Sequence, residues 1–127
     1  MGFLIIFLGA GLGGAMRHGV NLAAVRALGY GFPFGTLIVN VLGSFLIGLL
    51  AGYFAFRTGI DQHLRLFLTT GVLGGFTTFS AFSLDAALLF ERHDYWLGAA
   101  YVAASVGVSL LALLVGLAIY RTSGQLP

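Results

Sequence analysis

Four stretches of mostly apolar residues, at about 3–26, 34–56, 66–90 and 95–120, are each long enough to cross a lipid bilayer. Only short polar turns lie between them. Of the 127 residues, 59% are hydrophobic and 8% are charged, against roughly 25% charged in a soluble domain. Such a chain has too little polar surface to face water, whereas in lipid each helix satisfies its own backbone. The expected fold class is all-α integral membrane, one domain of four transmembrane helices over 1–127.

The boundaries carry local signals. The first stretch holds Arg17, His18 and Asn21 in its second half, and Pro33 suits the first turn of the second helix. A polar turn over 57–65 contains Asp61, Gln62 and His63, and Glu91, Arg92, His93 and Asp94 close the third stretch. Tyr95, Trp96 and Tyr120 sit where interfacial aromatics belong. The first residues lack the basic region and small-residue cleavage site of a signal peptide. Ile6 stands where a myristoylation motif needs Ser or Thr. The start therefore reads as the first span itself.

The third stretch differs from an ordinary spanning helix. Within 69–80 it places Gly71, Gly74 and Gly75 among Thr69, Thr70, Thr77, Thr78 and Ser80. Paired Gly74 and Gly75 favour unwinding, which at mid-membrane survives only where the backbone is buried in protein or lines a cavity. Close helix packing through small residues is the competing reading, and the density of Gly and Thr favours the break. Gly9 with Gly13, and Gly48 with Gly52, have the spacing of packing faces. Four short helices do not easily surround a solute pathway, so an oligomer is expected. Arg57, Arg65 and Arg121 fall on one side of a four-span layout and Arg17, Arg26 and Arg92 on the other. That balance gives the positive-inside rule nothing to act on, which predicts insertion in both orientations and antiparallel pairing.

Several functions are poorly supported. All six basic residues are Arg and none clusters into a nucleic-acid-binding patch. Without cysteine there are no disulfides or thiolate sites. Gly9 to Gly14 fits G-x-G-x-x-G, but the acid expected about 20 residues later is missing, and the next one is Asp61. His18, His63 and His93 lack ligand spacing, and no serine has the G-x-S-x-G setting of a hydrolase. An enzyme is not expected.

The informative polar residues lie inside the spans. Asn40 and Ser44 share one face of the second helix, Phe79 and Phe82 share one face after the expected break, and Tyr101, Ser105 and Ser109 form a stripe down the fourth. A membrane Ser or Thr can satisfy itself on its own helix backbone, but an Asn at that depth is harder to accommodate. Donors beside ring edges, the positive side of the aromatic quadrupole, suit a small anion.

The two runs 33–45 (PFGTLIVNVLGSF) and 71–83 (GVLGGFTTFSAFS), with Gly13 to Arg17 before them, resemble the Fluc (CrcB) fluoride channels, and the resemblance covers about 3–121. It implies a dual-topology homodimer of antiparallel subunits with two fluoride pores, and a four-helix membrane protein without a targeting segment fits a bacterial inner membrane. By that resemblance Phe79 and Phe82 line the pores, and Asn40 is the pore asparagine. Ser80 and Thr36 add hydroxyls, and Tyr101, Ser105 and Ser109 face the pore from the partner. Arg17 supplies vestibule charge, and the backbone carbonyls of Gly74 and Thr77 from both subunits hold a structural Na⁺. Two departures stand out: Ala81 where the family usually has Thr, and Asp85 where Glu is usual.

Two other readings remain open. A small dual-topology proton-coupled multidrug exporter needs an acid deep in a span. The first helix has none, and Asp85 lies about one turn from the end of the third. A non-transporting membrane subunit accounts for the glycines but not for Asn40 or the polar stripe.

Overall fold

The computed structural model describes residues 1–55 and 59–122, with backbone only for 120–122. Arg57 and the side chains of Tyr120 and Arg121 lie outside the described residues. Helix α1 spans Gly2–Leu28, α2 spans Phe34–Ala55 and α6 spans Tyr95–Thr122. The third stretch is composite. A short α3 (Gln62–Leu66) runs into a π-helical segment (Phe67–Leu73) and one turn, α4 (Gly74–Phe76), and resumes as α5 (Phe79–Glu91). The structure thus has four helical stretches long and apolar enough to cross a membrane, as the hydropathy pattern predicts.

Local chemistry sets the ends. Pro33 directly precedes α2, where its missing N–H and fixed φ cost nothing. The Asp61 carboxylate accepts the His63 N–H at 3.1 Å and caps α3. Arg92 donates to the Gly31 carbonyl at 3.1 Å and pairs with Asp94 at 3.2 Å, tying the α1–α2 turn to the α5–α6 turn.

Glycines set the closest crossings. A Cβ at Gly9 would lie 2.8 Å from the Phe67 carbonyl and 2.9 Å from the Gly71 Cα, so α1 packs backbone to backbone on the π-helical segment. The most extensive pairing is α2 against α6. There a Cβ at Gly116 would meet the Leu49 nitrogen at 2.8 Å.

The interruption does not fall where Gly74 and Gly75 predict it. Gly74 is helical (φ −62°, ψ −39°), and the extended residues are Thr77 (φ −88°, ψ 157°) and Thr78 (φ −155°, ψ 119°). Gly75 serves packing instead: a Cβ there would lie 2.9 Å from the Ala10 Cα. β-Branched threonine tolerates extended backbone well. The Thr78 hydroxyl then accepts the Ala81 N–H at 3.1 Å, capping α5. The glycines serve close packing, as the competing reading has it, and the helical pattern is interrupted at the threonines rather than at Gly74 and Gly75.

The core next to the interruption contains Phe82, Ala86, Leu89 and Tyr101, with Phe32, Leu37 and Val102 packed against it. Elsewhere large apolar side chains point outward, among them Phe3, Phe7, Leu111 and Trp96, the last 90% exposed. Apolar exposure on this scale marks a surface that meets lipid or another protein.

Candidate functional site

The interruption at Thr77 and Thr78 is held open by one side chain from another helix. The Asn40 amide nitrogen donates to the Thr78 carbonyl at 2.9 Å, and the Asn40 amide oxygen accepts the Thr78 N–H at 2.8 Å. In a continuous helix that N–H would close onto the Gly74 carbonyl. Likewise the Ala81 N–H, which would serve the Thr77 carbonyl, goes to the Thr78 hydroxyl. The carbonyls of Gly74 and Thr77 are thereby both released from helical pairing. Next to them the Arg17 Nε donates to the Gly75 carbonyl at 3.2 Å, setting a positive charge against the same backbone.

Beside the interruption α2, α5 and α6 enclose a groove of about 320 Å³. Asn40 and Ser44 stand on its α2 wall, Phe79 and Phe82 on its α5 wall, and Ser105 and Ser109 on α6. Phe82 is buried whereas Phe79 is 76% exposed. Their ring centroids lie 5.4 Å apart, and the row continues from Phe82 to Tyr101 at 5.3 Å and on to Phe32 at 5.4 Å. The hydroxyls of Ser105 and Ser109 are buried with no hydrogen-bond partner among the described residues. An unpaired buried hydroxyl costs about 1–3 kcal/mol, so both hydroxyls favour a polar partner in the groove.

A second polar node lies next to the groove. Asp85 accepts from the Thr36 hydroxyl at 2.8 Å and from the Tyr101 hydroxyl at 3.3 Å, both on the same carboxylate oxygen. Thr36 and Tyr101 are buried, and Asp85 is half-buried. Two donors from two helices thus hold the Asp85 carboxylate.

Residues 4–117 match the family described as "CrcB-like protein, Camphor Resistance (CrcB)". The chain belongs to the CrcB family. Among its relatives, the "Fluoride-specific ion channel FluC" of Rhodopseudomonas palustris (strain BisB5) is 55% identical over 121 residues, covering 95% of this chain and 98% of that relative. The protein of the same name from Granulibacter bethesdensis is 58% identical over 122 residues, covering 96% of each chain. That from Rhizobium meliloti (strain 1021) is 51% identical over 118 residues, covering 93% of this chain and 94% of the relative. With four spanning stretches and these bacterial relatives, the CrcB-family chain is a multi-pass protein of the bacterial inner membrane.

The structure gathers most of the expected site residues of this CrcB-family chain. Asn40, Phe79, Phe82, Ser105 and Ser109 of one chain line one groove, and Thr36 and Tyr101 meet at Asp85 beside it, so the α6 residues join the rings within a subunit, where the resemblance implies that they face the pore from the partner. Ser80 is exposed and does not line the groove; its hydroxyl lies 3.3 Å from that of Thr78. Arg17, Gly74 and Thr77 cluster at the interruption, and Thr77 also lines the groove. Asn40 has more to do than the sequence implies, because both ends of its amide grip the Thr78 backbone. The sequence marks Asn40 only as an amide inside a span. Its partner is 38 positions away and joins through main-chain atoms, which no side-chain pattern encodes.

Proposed function

We propose that this protein is a passive, fluoride-selective ion channel that exports F⁻ across the membrane and relieves fluoride toxicity. One observation carries the reading: two buried, unpartnered hydroxyls, Ser105 and Ser109, face a groove walled by Phe79 and Phe82. Fluoride is small and strongly hydrated, so a selective path must replace its water with donors in a narrow, partly apolar passage. Relatives covering nearly the whole chain carry the name fluoride-specific ion channel. A Phe79 or Phe82 ring turned edge-on to the groove would present the positive side of the aromatic quadrupole to an anion. The remaining N–H of Asn40 and the two serine hydroxyls supply hydrogen bonds.

The functional unit we propose is an antiparallel, dual-topology homodimer with two pores, its interruption lying at mid-membrane. The interruption falls near the middle of the 30-residue apolar stretch Gln62–Glu91. The even split of arginines between the two sides fits insertion in both orientations. A structural Na⁺ suits the released carbonyls of Gly74 and Thr77, which are hard oxygen donors without helical partners. Bound there, it would supply fixed positive charge to the centre of an anion pathway. Arg17, bonded to the Gly75 carbonyl, orients that backbone and adds its own charge. A proton-coupled exporter finds little support, since the Asp85 carboxylate is already engaged by Thr36 and Tyr101.

The test is efflux from liposomes holding the purified protein and loaded with KF or KCl, triggered by valinomycin and read with ion-selective electrodes. Rapid fluoride release with chloride retained, and no dependence on a proton gradient, is the expected result. Fluoride retained inside the liposomes would overturn the proposal.

A further inference from the structure

Once the hydrogen bonds around the groove are assigned, few donors are left over. Thr77 commits its hydroxyl to the Leu73 carbonyl at 2.9 Å. The Thr78 hydroxyl accepts the Ala81 N–H and keeps its own O–H, 3.3 Å from the Ser80 hydroxyl, and Asn40 uses its amide oxygen and one N–H on the Thr78 backbone. On the groove wall this leaves as donors the second N–H of Asn40 and the hydroxyls of Thr78, Ser105, Ser109 and Ser44.

Ser44 lies on α2 one helical turn beyond Asn40, on the same face, and lines the same groove as Ser105 and Ser109. Helical serines commonly bond back to a carbonyl one turn earlier, but the Ser44 hydroxyl has no hydrogen-bond partner among the described residues. The α6 wall also carries the apolar side chains of Val106 and Leu110. An anion touching only Ser105 and Ser109 would be solvated from one side, and a strongly hydrated ion needs donors from more than one.

We infer that Ser44 is a further fluoride-binding residue, adding a hydroxyl to the α2 wall one turn beyond the free N–H of Asn40, so that donors on α2 face those on α6 over a longer part of the groove. This inference rests on the fluoride reading of the groove. It assigns the path a length as well as a width: donors extend at least one turn of α2 past Asn40. Phe79 and Phe82 then flank only part of the route.

Ser44→Ala, Ser44→Thr and Ser44→Cys test this in the liposome efflux assay beside the wild type. Losing one hydrogen bond to a charged ligand predicts that Ser44→Ala slows fluoride efflux about tenfold or more, whereas Ser44→Thr, which keeps the hydroxyl, recovers most of the rate. Because the chain has no cysteine, Ser44→Cys introduces a single thiol, which Ag⁺ should find and block. Leu42→Cys, two residues away on another side of α2, should conduct regardless of Ag⁺. The cysteine pair decides the matter if Ser44→Ala does not fold. Wild-type rates in Ser44→Ala, or Ser44→Cys efflux that Ag⁺ leaves unchanged, would overturn the role of Ser44 while leaving the channel intact. A wild type that releases no fluoride would overturn the fluoride reading itself, and this inference with it.

Discussion

Asn40 shows how one residue can hold up a site without being its only ligand. Its amide replaces the helical partners that Thr78 gives up, pairing both the N–H and the carbonyl of that residue. Asn40→Ala leaves two main-chain groups unpaired at a cost of about 1–3 kcal/mol each. The expected outcome is a clearly lower melting temperature in detergent together with lost fluoride flux. A wild-type melting temperature would contradict the clamp. Thr36 is a comparable case at Asp85, where it supplies the shorter of two hydrogen bonds. Thr36→Val removes a bond to a carboxylate, worth about 1.5–3 kcal/mol. Thr36→Ser should retain most of the wild-type melting temperature, whereas Thr36→Val should not. None of these partnerships is visible in the sequence, because Asn40 and Thr78, and Thr36 and Asp85, meet only through tertiary packing.

Among the elements, the composite third span carries the site, and its parts were unequally legible. Hydropathy located the span, and dense Gly and Thr located its irregular region. Glycine propensity nonetheless pointed to Gly74 and Gly75, while the extended backbone falls on Thr77 and Thr78. Propensity could not tell a glycine needed for unwinding from one needed for contact, since both demands select the same side chain. The π-helical turns before it left no pattern in the sequence either. They set Gly71 against Gly9, so the register of α1 on this segment depends on small residues. Gly9→Ala forces a methyl against the Phe67 carbonyl and the Gly71 Cα, an overpacking that typically costs about 1–3 kcal/mol. Gly11 has open space beyond it, and Gly11→Ala should be tolerated. Gel filtration and melting curves of the two variants should separate them, and equal behaviour would contradict the packing described.

For the whole molecule, the outward-facing apolar surface and the balanced arginines lead to the same proposal of a membrane-embedded antiparallel pair. Adding arginines to the turn around Asp61 should bias every copy into one orientation. If the working unit is antiparallel, fluoride resistance should fall in cells making only that variant and return when an oppositely biased copy is made beside it. Full resistance from a single fixed orientation would contradict dual topology.

The central claim is that fluoride passes through the groove between the phenylalanine rings and the α6 serines. It is tested most directly by fluoride efflux from liposomes containing either the wild type or Ser105→Ala/Ser109→Ala, the two proteins matched for melting temperature and elution volume. The account predicts rapid fluoride release from the wild type with chloride retained, and a rate at least about tenfold lower in the double variant, since each hydroxyl lost is a hydrogen bond to a charged ligand. Equal fluoride rates in the two proteins would contradict it.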